Sequence, residues 1–368
     1  MIFYKLKQNG LFLKIVAAFA YLFFIPFRIL NSARRNERGK TFLISLHLLG
    51  DTVFSLPTVK YFSRKIGNKL IIACFENSKI IYEKAGIQAE FITFKRNDYF
   101  LSGRFPKLDV RKKIRKKKPF RIIDISGGIH SAFTIAGIGA AEIIGMNEEI
   151  YKSLYDKFIP LRTAPNLVDK IFDVARIFES GLERKKYSYI PEKINSGKRI
   201  LFHPFGSWKE KEWDFEKYIA LAGKLKIDGF DAVFIWEKGR AGEEKKNLLQ
   251  ESNLELIETN DLEQLFDETE KSFLFIGVDS GPIHIASLLG TSTIAIYGPT
   301  NPAFIKPEGK YHFTIQKIIH CSPVGEKHYC DTLAGKTCAT LECLRDLTVE
   351  EVYEKTIRFI KEALEKKT

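Results

Sequence analysis

Asp279, Ser280, Gly281 and His284 stand together in the stretch Val278–Pro302, VDSGPIHIASLLGTSTIAIYGPTNP. A hydroxyl, an imidazole and the free N–H groups of a helix start make an anion site, best suited to phosphate. A second group runs from Pro204 to Trp213 as PFGSWKEKEW, with Gly206, Ser207, Lys209 and Lys211. Small residues there let a phosphate meet the backbone, and the lysines carry the opposite charge. A third group is His47-Leu48-Leu49-Gly50-Asp51, a carboxylate four residues after an imidazole. Transfer of a group to a hydroxyl needs one general base, and a carboxylate can serve. Each group also has a plain structural reading. Asp51 is a good helix cap, KEKE is an ordinary solvated cluster, and DSG suits a turn between strand and helix.

These residues act together only if strand ends position them. Phe273–Val278 reads as a buried strand, Pro282 opens a helix Ile283–Leu289, and Ser292–Tyr297 is a second buried strand. Proline suits a first helical turn because its missing N–H has no partner there anyway. The rest of the chain alternates in the same way. Strands are expected at Thr41–Leu46, Lys69–Cys74, Ala89–Thr93, Phe120–Ile125 and Ala141–Ile144, with helices at Leu56–Ile66 and Lys79–Ala85. Tyr151–Pro165 reads as a passage between domains, and Asn166–Gly181 as an amphipathic helix that starts or bridges the second half. There the strands are Arg199–His203, Asp231–Trp236, Leu254–Ile257 and the two already named, with a helix at Phe215–Lys226 and a charged helix at Thr348–Lys367. Alternating strands and helices signal an α/β fold with parallel sheets. In such sheets ligands gather at the carboxyl ends of strands, where all three groups fall.

DSGPIHIA followed by YGPTNP resembles the C-terminal signature of glycosyltransferase family 9, the lipopolysaccharide heptosyltransferases. LHLLGDTVFSLPTVKYF at Leu46–Phe62 and HPFGSWKEKEWDFEKYIALAGKL at His203–Leu225 are similar to two earlier family segments, in the right order. The resemblance implies a GT-B fold, two Rossmann-like domains facing a cleft. It implies Asp51 as general base, with Gly50 giving the acceptor close approach and His47 second in line. Lys211 would neutralise the diphosphate leaving group, with Lys209 behind it. Gly206, Ser207, Asp279, Ser280, Gly281 and His284 would hold the donor, and Thr300 and Asn301 would face the same edge. Glu243, or its neighbour Glu244, matches the acidic position that meets the ribose. The donor implied is ADP-heptose, with no metal or other cofactor required, and single displacement would invert the anomeric centre.

Composition narrows the partners. A chain of 368 residues should hold two domains, and a formal net charge of +13 calls for an acidic partner. Arg111–Lys118, RKKIRKKK, concentrates that charge. No aromatic residue interleaves with it, which argues against single-stranded nucleic acid. A phosphorylated glycolipid acceptor suits it better, held by Arg111, Lys112 and Lys113; a solvated helix face is the plain alternative. Leu11–Phe27 is nearly all apolar but a little short for a spanning helix, which needs about 20 residues. It suits a helix lying on an anionic membrane, with Arg34, Arg35, Arg38 and Lys40 beside it; the alternative is packing on its own domain. Cys321, Cys330, Cys338 and Cys343 match no standard zinc spacing. They are open to a structural metal, to disulfides or to free thiols, and are expected to lie away from the chemistry.

The expected organisation is residues 1–39 as a membrane-associating extension and 40–160 as an acceptor-binding Rossmann-like domain. Residues 161–345 would be a nucleotide-sugar-binding domain and 346–368 a C-terminal helix. The expected protein is cytoplasmic, peripheral on the inner face of the membrane, and moves a heptose to a lipopolysaccharide core. The alternatives are another nucleotide sugar for a different surface glycan, or a non-catalytic glycan- or membrane-binding protein of the same fold.

Overall fold

Runs such as Phe42-Leu43-Ile44 and Leu274-Phe275-Ile276 offer water no polar side chain, so they pair as strands covered on both faces. The computed structural model describes residues 22–31, 39–100, 105–162, 166–189, 191, 195–332 and 335–365. They divide into two compact units between Ser188 and Tyr189.

In the first unit the strands are β1 (Thr41–Ser45), β2 (Leu70–Phe75), β3 (Glu90–Phe94), β4 (Tyr99–Phe100), β5 (Phe105–Pro106), β6 (Arg121–Asp124), β7 (Glu142–Asn147) and β8 (Lys157–Pro160). Six of them form a parallel sheet in the order β3-β2-β1-β6-β7-β8, with Thr41 opposite both Leu70 and Arg121. β4 and β5 make a small antiparallel pair. The helices are α1 (residues 22–31), α2 (Leu49–Ile66), α3 (Glu76–Lys84), α4 (Leu108–Lys116), α5 (Ile129–Ile135) and α6 (Leu167–Arg176).

The second unit repeats the plan. Its strands are β9 (Arg199–His203), β10 (Asp231–Glu237), β11 (Glu255–Thr259), β12 (Leu274–Val278), β13 (Ser292–Tyr297) and β14 (His312–Gln316), in the order β11-β10-β9-β12-β13-β14. Its helices are α7 (Phe215–Ile227), α8 (Glu243–Glu251), α9 (Leu262–Glu270), α10 (Gly281–Leu288), α11 (Pro302–Ile305), α12 (Glu342–Arg345) and α13 (Val349–Glu365). The chain reverses direction across each sheet at one place, between β1 and β6 and between β9 and β12. These are the topological switch points at which such sheets bind ligands.

Several expectations change. Helix α6, expected to start or bridge the second half, packs in the first unit. Phe62 meets Phe178 edge-on at 5.1 Å, Tyr61 meets Tyr187 at 5.4 Å, and Lys60 Nζ donates to the Ser188 carbonyl at 2.9 Å. An amphipathic helix goes where its apolar stripe finds cover, and α2 supplies it. The stretch read as a passage contains β8, an edge strand; Pro160 ends it, where a missing N–H costs least. Helix α2 starts at Leu49, seven residues before the expected Leu56. The C-terminal helix is no separate body: Tyr353 Oη donates to Asp228, just beyond α7, at 2.8 Å. Leu11–Phe27 enters the described residues only from Leu22. There Phe24 is buried against Phe133 and Tyr151, at 5.5 and 5.6 Å. No helix among the described residues is long and apolar enough to cross a membrane. Arg34, Arg35 and Arg38 lie outside the described residues.

Candidate active site

β12 ends at Val278, so Asp279 and Ser280 fall on the turn into α10 at the second unit's switch point. Lys211 reaches the same place from the short turn after β9. Its Nζ lies 2.5 Å from Asp279 Oδ2 and 3.3 Å from the Asp279 carbonyl, and both side chains are buried. His284 Nε2 stands 3.9 Å from the other carboxylate oxygen. Burial alone would raise the Asp279 pKa. The His284 hydrogen bond and the Lys211 charge outweigh it and hold the carboxyl below its usual range. Ser280 caps α10 without a side-chain bond, and its buried Oγ has no hydrogen-bond partner. A buried hydroxyl left without a partner is costly unless something comes to meet it. The pocket therefore presents a cation, an imidazole, an unspent hydroxyl and the first-turn N–H groups of a helix. That set is chemically suited to an anion, and Asp279 balances the charge of Lys211.

Lys209 points to solvent, so the lysine choice falls on Lys211. The Lys211 ammonium sits 3.9 Å from the centre of the Trp208 ring, and Lys336 approaches the same ring at 5.5 Å. Gly206 is required by close approach: an added Cβ would lie 3.0 Å from Lys211 Cβ and 3.1 Å from the Trp208 carbonyl. The Gly206 N–H, expected to meet a phosphate, donates to Glu212 Oε1 at 3.1 Å, and its carbonyl accepts from Arg240 at 2.6 Å. Glu212 and Arg240 thus hold this loop, a role the sequence reading missed. Ser207 is exposed at the loop tip. Glu243 is exposed at the start of α8 and pairs with Lys246, which also binds Glu258, each at 3.0 Å. His203, at the end of β9, was also missed. Burial, aided by Arg240, holds it neutral, with its pKa down to about 4.

Asn301 does structural work instead of facing a sugar. Its Oδ1 caps α11 through Ala303 N at 2.9 Å, and its Nδ2 donates to the carbonyls of Gly325 and Lys327 at 3.1 and 2.9 Å. Thr300 Oγ1, by contrast, is buried without a hydrogen-bond partner. The cysteine-bearing loop is not remote from this pocket. Cys330 N donates to the Pro299 carbonyl at 3.0 Å, and Lys336 lies over Trp208. Cys321, Cys330, Cys338 and Cys343 are free thiols that feel one another's charge, and Leu341 N donates to Cys338 Sγ at 3.3 Å. Among the described residues no three ligating groups stand where they could hold a metal ion.

The first unit's switch point holds Gly50 and Asp51. Asp51 is the third residue of α2, and the cap position belongs to Leu48, which makes no side-chain bond. Asp51 is thus an acidic residue of the first turn, not the cap. Lys170 of α6 lies in its field: burial lowers the lysine pKa, and Glu148 and Asp51 partly oppose that. His47 loses its claim to be a base. Its Nδ1 meets Ser45 Oγ and its Nε2 the Ile125 carbonyl, both at 3.1 Å, and burial followed by the nearby His130 drives its pKa to about 3. His130 is the residue sequence reasoning passed over. Its backbone partner is Leu46, and its Nε2 is buried with no hydrogen-bond partner. Gly127 and Gly128, with φ of 63° and 97°, bend the chain after β6 to bring it there. Arg111 is committed to the Ala136 carbonyl, Lys112 pairs with Asp109 at 3.6 Å, and Lys113 lies 5.8 Å from the Phe94 ring centre.

Two doubly wound α/β units, the second with a cation–carboxylate–imidazole pocket at its switch point, define a protein of the GT-B class. The chain belongs to glycosyltransferase family 9 (heptosyltransferase), whose sequence model matches residues 108–331. It is 27% identical over 179 residues to lipooligosaccharide heptosyltransferase 2 of Campylobacter jejuni, covering 46% of this chain and 53% of that protein. The chain thus spans about half the length of the first curated relatives it matches. Its fold is similar to that of the family 9 glycosyl transferase from Veillonella parvula, with a TM-score of 0.70 and 17% identity over 90% of this chain and 98% of that one. Heptosyltransferase WaaC of E. coli, solved with ADP, gives a TM-score of 0.63 and 18% identity over 87% of this chain and 99% of that one.

Proposed function

We propose that the protein is an inverting glycosyltransferase that moves a heptose from ADP-heptose to the saccharide core of a phosphorylated, lipopolysaccharide-type glycolipid. The observation that carries this reading is the buried Lys211–Asp279–His284 cluster beside the unspent Ser280 hydroxyl. Family membership supports the heptose, and the ADP in the WaaC structure supports the nucleotide.

Asp51 takes the proton of an acceptor hydroxyl as that oxygen attacks the anomeric carbon. The bond from that carbon to the diphosphate oxygen breaks, and ADP leaves with the electron pair. One displacement inverts the centre. Charge grows on the leaving oxygen as the bond stretches, and fixed donors aimed at it are worth most then. Lys211, His284, Ser280 and the first turn of α10 supply those donors. Asp279 holds the lysine and the imidazole in place, so nothing need rearrange when the charge appears. This is the work a divalent cation does in other transferases, so none is required here.

The test is a thermal-shift series with ADP, UDP, GDP and CMP, since a ligand that binds only the folded state raises its melting point. ADP is expected to give the largest shift, and transfer from ADP-heptose is expected to survive EDTA. A larger shift with UDP would point to a different sugar nucleotide. Activity lost to EDTA and restored by Mg²⁺ would sink the metal-free mechanism.

A further inference from the structure

Helix α1 has two faces of unequal meaning. Its inner face belongs to the first unit's core: Phe24 packs there, and Asn31 Oδ1 accepts from Gly139 N at 2.8 Å. Its outer face is exposed. Leu22, Pro26 and Ile29 follow one another at four and three residues, on one side of a helix, and all are exposed. Leu22 and Ile29 are each 63% exposed and Phe23 beside them 53%. An outward helix face made of leucine, proline and isoleucine is the reverse of what water selects.

The basic helix α4 lies alongside. Arg111 donates to the Ala136 carbonyl and Arg115 to that of Gly137, the latter at 3.2 Å. A Cβ on Gly137 would lie 3.0 Å from Leu30, 3.3 Å from Arg111 and 3.5 Å from Phe27, so both helices meet at this turn. From the Arg111–Arg115 edge outward, α4 presents Leu108, Lys112 and Lys116, all exposed at successive turns. The helix with the exposed apolar face and the helix with the lysine row therefore lie next to one another.

We propose that the first unit docks through these two helices on an anionic lipid bilayer, with Leu22, Phe23 and Ile29 entering among the acyl chains and Lys112, Lys116 and Arg115 meeting the headgroups. Either signal alone binds weakly and reversibly; together they hold a protein at a surface. A second copy of the chain suits the face less well, because it would bring the same lysine row against its own. The proposal rests on this surface and not on the choice of donor.

The experiment uses the full chain with phosphatidylcholine vesicles, with and without phosphatidylglycerol. Binding is expected only with phosphatidylglycerol. Lys112→Glu/Lys116→Glu should weaken it by at least about tenfold, because each basic side chain at an anionic surface contributes substantially. Arg358→Glu/Lys361→Glu on α13 changes net charge equally and should leave it intact. Hydrogen exchange on the unaltered protein should show α1 and α4 protected when vesicles are added. Equal loss in the two charge variants, or no added protection in α1 and α4, would overturn the proposal. So would a Leu22→Gln/Ile29→Gln variant that converts a dimer to a monomer in sedimentation, since the face would then be a subunit interface.

Discussion

Leu48 holds the cap position and His47 is locked by two hydrogen bonds, and Asp51 is the base we propose at the first switch point. Asp51→Asn should lower transfer by about two to four orders of magnitude while ADP binding is kept. Near-normal turnover in the folded variant would move the base to His130, the histidine with an unspent nitrogen. Lys211 and Asp279 make a second residue-scale test. Lys211→Met leaves a buried carboxylate unpaired and should cost about 3–5 kcal/mol in stability, as well as weakening ADP binding. Adding Asp279→Leu removes the stranded charge. The double variant should regain most of the stability and none of the binding, measured by urea unfolding and calorimetric titration. If binding returned too, the pair would be structural only.

At the scale of elements, both candidate sites depend on strands meeting closely at a switch point. Gly277 in β12 shows how closely: a Cβ there would lie 2.8 Å from the His203 carbonyl of β9. That contact is backbone, which cannot swing aside as a side chain can. Gly277→Ala should therefore destabilise the protein by about 1–3 kcal/mol. It should also weaken ADP binding, because the wedge opens between the strands that carry Asp279 and the Lys211 turn. A variant with unchanged melting temperature would show that the sheet relaxes there without cost. Helix α6 teaches a related point. Its sequence period announces an amphipathic helix, but a stripe of apolar residues does not say which neighbour will cover it.

Across the whole molecule, loss of solvent lowers the pKa of four histidines, His47, His130, His203 and His312. His47 is pushed down to about 3, and His203 and His312 to about 4, burial being the largest cause in each. Each binds a proton more readily unfolded, with a pKa near 6.5 there, so each withdraws stability as pH falls below about 6.5, at roughly 1.4 kcal/mol per pH unit. Asp124 acts the other way. Burial raises it to about 6, so its folded form takes a proton first, and between pH 6 and 4 it cancels about one histidine. The remainder should make the protein steeply less stable from pH 6.5 down towards 4. A melting temperature that holds level over that range would show that the histidines are not buried neutral.

The residues alone specified the two doubly wound halves, because strands covered on both faces must be written in continuous apolar letters. The same letters placed Asp51, Lys211 and Asp279 at strand ends, since strand ends are where those runs stop. Family membership followed from ordered motifs that survive at low identity. Other decisions needed distances between segments far apart in the chain. Lys211 rather than Lys209 enters the pocket because the turn after β9 buries one and exposes the other. Asn301 serves the cysteine loop rather than a ligand because that loop folds back on Pro299. His130 reaches the first switch point only because two glycines bend the chain after β6. Leu11–Phe27 posed a choice between core and membrane. From Leu22 onward, tertiary structure makes it core on one face and leaves the other apolar and exposed. A sequence records which side chains avoid water; only the packed fold decides which of them found shelter.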